Sequence, residues 1–487
     1  MEFETQALLE RGLLTPVAMA AADQRTIDSG TARGTLIARA ARAAFRVLRA
    51  QFTRRPVTVL CGPGQNGEDG WMLAALLADA GWPLEIIDLG GGLQIDDAAP
   101  EGLASYVRPS GVFDPAPTSL VVDAVLGAGL ARPVTGEIAH VFEKLNKAEV
   151  QVLAIDLPSG IDGATGEARG QAVEADVTVT FHRLKPGHLL GDGADHAGRI
   201  FLCDIGIAPE AEDMTAVWNA PCLWKDGLRG NTRETHKYAR GHVCVIGGPG
   251  LQGGAARLSA RAASVSGAGA VTYLSPLSGA EFAAASFDAV MVKPLGDREA
   301  LDAFLKERVG AVVLGPGMGH ADKAEIVVET VLETKLPCVL DADALTLYEG
   351  RTEEFFDRLH GDCVLTPHEG EFSRLFPDLK GDKRIRTEKA AELSGATVLL
   401  KGSTTVIAKT GKPTVISSHG GPELATAGSG DVLAGLIGGF LAKGMTPVKA
   451  AAAGAWVHAD AARGASPSLN ADHLPARIVS VMDALTG

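Results

Sequence analysis

Gly428-Ser429-Gly430-Asp431 is followed by VLAGLIGGFLAKG, and the order of those residues carries chemistry. Val432, Leu433, Leu436, Ile437, Phe440 and Leu441 recur at helical spacing, and Gly444 stands where a C′ glycine would end the helix. The glycines leave backbone amides uncovered at the positive end of the helix dipole. Such a nest suits the charge that develops on a transferring phosphoryl group. An aspartate placed there, Asp431, can take the proton of an attacking hydroxyl. Taken alone, an N-cap aspartate with packing glycines would give the same string.

Other strings add to it. VLLKGSTTVIA places Lys401 and Gly402 at a strand end, with the hydroxyls of Ser403, Thr404 and Thr405 following, where phosphates or a ribose can be met. AVVLGPGMG (311–319) is a glycine turn after a buried strand, and LTPHEGEF (365–372) sets His368, Glu369 and Glu371 after another. The first half has three comparable turns: CGPGQNGEDG (61–70), VVDAVLGAGL (121–130) and IDLPSGIDG (155–163). Asn66, Asp123 and Ser159 each follow a different strand. Amide, carboxylate and hydroxyl oxygens are the ligands a large, hard monovalent cation takes.

These turns need a scaffold of parallel strands, since ligands bind beyond the carboxyl ends of such strands. The first half supplies VTVL (57–60), LEIIDLG (84–90), 119–130, 153–162, DVTVTF (176–181) and RIFLCDIGI (199–207). The second supplies 242–248, 270–275, 289–295, 311–319, 337–345, 363–372, 397–407 and 413–417. Between them, 209–235 is polar and without periodicity, which marks a domain boundary. At 487 residues the chain exceeds one usual core, and 59 glycines with 21% charged residues suit an α/β protein rich in tight turns. The net charge of −14 offers nothing to a nucleic-acid backbone. Six scattered cysteines with no CxxC and no histidine at zinc spacing read as reduced, mostly buried thiols. The amino terminus lacks a signal peptide's basic start and apolar core, and runs such as VLAGLIGGFLA fall short of the ~20 residues of a membrane span. A cytoplasmic protein without membrane or nucleic-acid partners is expected.

The glycine–aspartate turn, Lys401-Gly402 and the 311–319 turn resemble the ribokinase-like family. With LTPHEGEF and the HKYARGHVCVIGG opening (236–248), residues 225–487 resemble more narrowly the ADP-dependent NAD(P)H-hydrate dehydratases. GPGQNGEDG, VVDAVLGAGLARPVTG and IDLPSGIDG make residues 1–212 resemble the NAD(P)H-hydrate epimerases. The resemblance implies an α/β chain of two tandem domains, an N-terminal Rossmann-like αβα layer structure and a C-terminal ribokinase-like αβα one. The expected bounds are 1–212, a linker at 213–228, and 229–487.

The implied activity is nicotinamide nucleotide repair. The front domain interconverts the R and S epimers of NADHX and NADPHX. The rear domain phosphorylates the S form with ADP, accompanied by magnesium, and eliminates phosphate to restore NAD(P)H. By position, Ala255, Gly317, Gly319 and His368 meet the hydrate, Lys401, Gly402, Ser403, Thr404, Thr405 and Gly430 the nucleotide, and Asp431 is the base. In front, Asn66, Asp123 and Ser159 hold potassium and Asp156 is the acid/base. Gln65, Asn66, Gly67, Glu68 and Asp69 bind substrate, as do Gly127, Ala128, Gly129, Leu130, Ala131, Arg132 and Pro133 around its phosphates. A homo-oligomer is expected.

Three positions depart from the epimerase pattern: Gln65 for Asn, Glu68 for Gly and Ala128 for Thr. Glu68 sets a charge where an anionic substrate is expected, and the expectation is that it turns outward while Gln65 keeps the amide chemistry. Two alternatives stand beside this reading. One is a dehydratase whose front domain only binds or braces. The other is a ribokinase-like kinase of a vitamin or sugar.

Overall fold

The structure is a computed structural model that describes residues 3–90, 102–130, 132–208, 210, 214–228, 240–320 and 322–486. It forms two compact units, Gly12–Ala216 and Val217–Gly487, the latter joined by Met1–Arg11.

The unit Gly12–Ala216 is built on seven strands: β1 (Val57–Cys61), β2 (Leu84–Asp88), β3 (Val107–Arg108), β4 (Leu120–Ala124), β5 (Gln151–Ile155), β6 (Val177–Phe181) and β7 (Arg199–Cys203). All pairs are parallel and the order is β3-β2-β1-β4-β5-β6-β7, a Rossmann-like arrangement. Side-chain alternation divides the two faces. Leu60 and Val121 pack against Val141, Phe142 and Leu145 of the helix Gly136–Lys147. On the other face, a Cβ at Gly70 in the helix Gln65–Asp79 would meet Ala124, Cys61 and Val59. The topology reverses between β1 and β4, so their carboxyl ends open a crevice. Strands β4 and β5 stop at Ala124 and Ile155, well before the ends of the apolar runs 119–130 and 153–162, because Gly127, Pro158 and Gly160 carry turns.

The second unit has β8 (Ala216–Trp218), β9 (His242–Ile246), β10 (Ala270–Ser275), β11 (Met291–Pro294), β12 (Ala311–Leu314), β13 (Cys338–Leu340), β14 (Cys363–Leu365), β15 (Thr397–Leu400), β16 (Thr405–Ala408) and β17 (Thr414–Ser417). They lie in the order β8-β17-β16-β15-β14-β13-β12-β9-β10-β11. Strands β9 to β15 pair in parallel, and β15, β16 and β17 antiparallel. The run 397–407, expected as one strand, is a hairpin: Leu400 pairs with Val406, and Lys401 to Thr404 form the turn. Where no order was expected, β8 and two short helical turns, Pro221–Leu223 and Lys225–Leu228, enclose a fully buried Trp224. The rest of 209–235 lies largely outside the described residues.

The helix Ser429–Ala442 covers the sheet face that carries Val243 and Val313. It ends as the sequence implies, at Gly444 with φ 88°, whose N–H donates to Leu441 while Met445 N–H reaches Phe440. Its glycines let the helix Gly254–Val265 approach closely. A Cβ at Gly435 would lie 2.0 Å from the carbonyl oxygen of Ser259. Gly435→Ala is therefore expected to destabilise this unit by about 1–3 kcal/mol, as overpacking does. Gly34→Ala, where a Cβ meets open space, should not destabilise the protein. Urea unfolding followed by circular dichroism separates the two; equal midpoints would remove the contact from the account.

Candidate functional sites

In the second unit, Gly428 opens the helix Ser429–Ala442 from the left-handed region, φ 88°, and no side chain caps it. Asp431 sits in the first turn, so it is not the N-cap its sequence context also allowed. Ser259 Oγ donates to the main-chain oxygen of Asp431 at 2.8 Å, and Ser429 Oγ lies 3.2 Å from His458 Nε2. Lys401 reaches over this turn, and a Cβ at Gly430 would stand 3.3 Å from its Nζ. The ammonium is 2.8 Å from Asp341 Oδ1 and 3.8 Å from Glu371 Oε2. Burial pulls Lys401 down, but Asp341 and Glu371 outweigh it, and the amine is held above its usual range. Burial pushes Asp431 up to about 7, with Asp341 adding to the rise and Lys401 opposing it. A carboxylate half ionised near neutrality, beside uncapped amides and a cation, is equipped to accept a proton while negative charge develops next to it.

The turn after β12 closes the site. Gly317, at φ 58°, would place a Cβ 2.4 Å from Gln252 O and 3.4 Å from Ala255 Cβ. Gly319 N–H donates to Asp343 Oδ2 at 2.8 Å. His368 caps the helix Glu369–Leu375. Its Nδ1 accepts from Gly370 N–H at 3.0 Å and Glu371 N–H at 3.2 Å, while the main-chain N–H of His368 donates to Glu371 Oε2 at 2.8 Å. Those bonds fix Nδ1 as an acceptor. Thr405 begins β16, and Gly402, Ser403 and Thr404 stand in the turn with Lys401. Asp341, Asp343 and Glu371 belong to this cluster although sequence reasoning gave them no role. The readable signal was a buried strand ending in Asp-Ala-Asp, with Ala342 forced to φ 46° between the two carboxylates.

In the first unit, the carboxyl ends of β1, β4 and β5 border a cavity of about 690 Å³. Gln65, Asn66, Asp69, Gly127 to Leu130, Arg132, Pro133 and Asp156 line it. Ala131 lies outside the described residues. The glycines of CGPGQNGEDG answer to packing. A Cβ at Gly62 would lie 2.1 Å from Val125 O, and one at Gly67 would lie 1.8 Å from Gly62 O. The stretch is less a loop than a helix start, since Gln65 to Asp69 are the first residues of Gln65–Asp79 after Gly64 at φ 98°.

Asp156 is held at φ 67°. Its Oδ2 accepts from Ala128 N–H at 3.0 Å, and its Oδ1 accepts from Lys185 Nζ at 2.6 Å and Thr180 Oγ1 at 3.1 Å. His188 Nε2 lies 2.7 Å from its main-chain oxygen. Burial works to raise Asp156, but Lys185 overrides it and brings the carboxyl down to about 2. Asp69 goes the opposite way: burial, then Asp156 and Glu68, push it well above the carboxylate range. Asp123 and Ser159 meet directly, Ser159 Oγ donating to Asp123 Oδ1 at 2.6 Å and Ser159 N–H to Oδ2 at 2.7 Å. Burial raises Asp123 to about 6 against these bonds. Asn66 is buried with neither amide atom hydrogen-bonded.

Glu68 does not turn outward. It is 6% exposed, and Arg33 Nη2 stands 2.5 Å from its Oε2. Nor does it strain the backbone, because its position is helical. Arg33, Asp23 and Lys185 line the cavity without having been singled out, since each is distant in sequence from the glycine turns. Thr180 lay in DVTVTF, read only as a strand, and Lys185 lay between that strand and the next, in a stretch given no reading.

Two family models match the chain, one described as NAD(P)H-hydrate dehydratase over residues 243–482, the other as YjeF-related protein N-terminus over 33–187. The chain is 33% identical over 456 residues to the bifunctional NAD(P)H-hydrate repair enzyme of Coxiella burnetii, covering 90% of this chain and 92% of that one. It is 36% identical over 410 residues to the Mycobacterium tuberculosis enzyme of the same name, covering 82% and 81%. A solved structure of the ADP/ATP-dependent NAD(P)H-hydrate dehydratase from Bacillus subtilis is 26% identical, with TM-score 0.48, covering 54% of this chain and 95% of that one. With both halves matched and nine-tenths of its length aligned, the chain belongs to the family of bifunctional NAD(P)H-hydrate repair enzymes.

Proposed function

We propose that the two sites act in succession on hydrated nicotinamide nucleotides, epimerising them in the first unit and dehydrating the S form with ADP in the second. The observation that carries the second step is the juxtaposition of Asp431, raised to about 7, with Lys401 and the uncapped amides of the helix Ser429–Ala442. Asp431 takes the proton of the ring hydroxyl as its oxygen attacks the β-phosphorus of ADP, and AMP leaves. Loss of phosphate, with a proton from the neighbouring ring carbon, restores the double bond of NAD(P)H. Lys401 and the Gly430 amide stabilise the phosphoryl charge. Ala255, Gly317, Gly319 and His368 border the nicotinamide, and the 401–405 turn holds the nucleotide. Magnesium binds through nucleotide phosphates and one or two carboxylates, and Asp341, Asp343 and Glu371 are a donor set that fits it.

In the first unit the hydrated carbon carries both a hydroxyl and the ring nitrogen. Inverting it requires breaking one of those bonds and remaking it on the other face, with an acid and a base at hand. Asp69 and Asp156, whose carboxyls are driven in opposite directions, fill those two roles. The residues also fit a potassium ion: Asn66 has a buried, unpaired amide oxygen, Asp123 a buried carboxylate and Ser159 a hydroxyl. They would hold it, and it would supply positive charge for the substrate diphosphate and for Asp123. The turn 127–133 borders the phosphates with backbone amides.

Incubating both epimers of hydrated NADH with ADP tests the whole reading. AMP, phosphate and NADH should appear in equal amounts; a persistent phosphorylated vitamin or sugar would favour a kinase instead. Asp431→Asn is expected to lose about 10²–10⁴-fold in kcat while retaining nucleotide affinity. Because the ionised form is the base, wild-type kcat should rise with pH toward a plateau above about 7. Lys401→Met, which removes a cation that favours ionisation, should move that rise to higher pH. A flat profile would take Asp431 out of the mechanism.

For the first site, Asp156→Asn should abolish repair of the pure R epimer and leave that of the S epimer unchanged. Arg33→Ala strips Glu68 of its counter-charge inside the cavity wall. Like charges at this range cost on the order of 2–4 kcal/mol, so KM for the R epimer should rise at least about tenfold. Adding Glu68→Gly should recover most of that loss. Steady-state kinetics of the four proteins form a double-mutant cycle, and additive effects would break the proposed coupling.

A further inference from the structure

Two of the six free cysteines face each other at the opposite end of the second sheet from Asp341. Cys338 and Cys363 begin β13 and β14 and are register partners, and their sulfurs stand 3.6 Å apart. His360 joins them from the turn entering β14, and one ligand atom from each of the three lies within 4.8 Å of the others. The His360 Nε2 atom is buried with no hydrogen-bond partner. The backbone fixes the arrangement: Cys363 N–H donates to His360 O at 3.0 Å, Cys338 N–H to Asp362 O at 3.2 Å, and Asp362 N–H to His360 Nδ1 at 3.3 Å. Lys409 Nζ caps the same turn through Gly361 O.

We propose that Cys338, His360 and Cys363 form a binding site for a thiophilic divalent cation, zinc by its chemistry, at the amino-terminal ends of β13 and β14. Two thiolates and an imidazole are the donors zinc prefers over magnesium or calcium, which take oxygen. The spacing fits as well. Zinc–sulfur bonds of about 2.3 Å at tetrahedral angles put the two sulfurs about 3.8 Å apart, close to the separation already present. A tetrahedral ion would take two sulfurs and one nitrogen here and leave its fourth position to water. Binding requires both cysteines as thiolates, and the two thiolates then neutralise the ion. The ion would clamp β13 to β14, the strands whose far ends deliver Asp341 and, through the turn at Pro367, His368 and Glu371.

The test uses the full-length protein, reduced and stripped with chelator, titrated with cobalt(II) as the spectroscopic probe. One equivalent should give a thiolate-to-cobalt charge-transfer band and intense tetrahedral d–d bands, both abolished by stoichiometric zinc. Cys363→Ser should remove the charge-transfer intensity, and His360→Gln should weaken affinity at least about tenfold, as loss of a ligand does. Cys222→Ser, an exposed thiol elsewhere, should leave the spectrum unchanged. If Cys363→Ser does not fold, His360→Gln carries the test, since it alters only the turn. Absence of the bands overturns the proposal. So does persistence of the bands in His360→Gln at wild-type affinity, or a Cys338–Cys363 disulfide forming in air with no metal uptake by the reduced protein.

Discussion

Each site depends on one buried ammonium set among carboxylates. Lys185 stands 2.6 Å from Asp156, and Lys401 stands 2.8 Å from Asp341. Burying a charge without such a partner is costly. Both lysines lie beyond the carboxyl end of a parallel strand, Lys401 directly after β15 and Lys185 a short turn after β6. There the backbone leaves the sheet. The pairing therefore shapes the proton affinity of the carboxyls around it.

The consequence differs between the two units. Lys185 bonds directly to Asp156 and brings that carboxyl down to about 2, while Asp69, close by and without that bond, is driven upward. One carboxyl is thereby held low and its neighbour high. Lys401 spends its short contact on Asp341 rather than on Asp431, so Asp431 keeps most of its burial penalty and rises to about 7. The same type of contact thus gives two oppositely shifted carboxyls in one unit and a single raised carboxyl in the other.

Glycine sets the geometry within which those charges act. At Gly62, Gly67, Gly315, Gly317 and Gly435, a Cβ would come within 2.5 Å of a backbone oxygen. The turns after β1 and β4 thus press directly on each other, as do the turn after β12 and the segment at Gln252, and the helices Gly254–Val265 and Ser429–Ala442. Glu68 shows the limit of that rule. Its position is helical and faces Arg33, so a side chain is admitted there and its charge is answered locally.

The sequence by itself determined the two α/β halves, most strands, the helix Ser429–Ala442 with its glycine stop, and the places of Asp431 and Asp156 in the turns. Those features are local: apolar periodicity, turn residues and motif order are written along the chain. It could not reveal that Lys401 reaches back 60 residues to Asp341, that Lys185 answers Asp156 over 29, or that Arg33 neutralises Glu68 over 35. The same holds for Cys338 and Cys363, which become neighbours only through strand register. Pairings of this kind follow from which strands lie side by side and which face a helix covers. Burial then turns those distances into shifted proton affinities, a quantity that no single residue carries in its type.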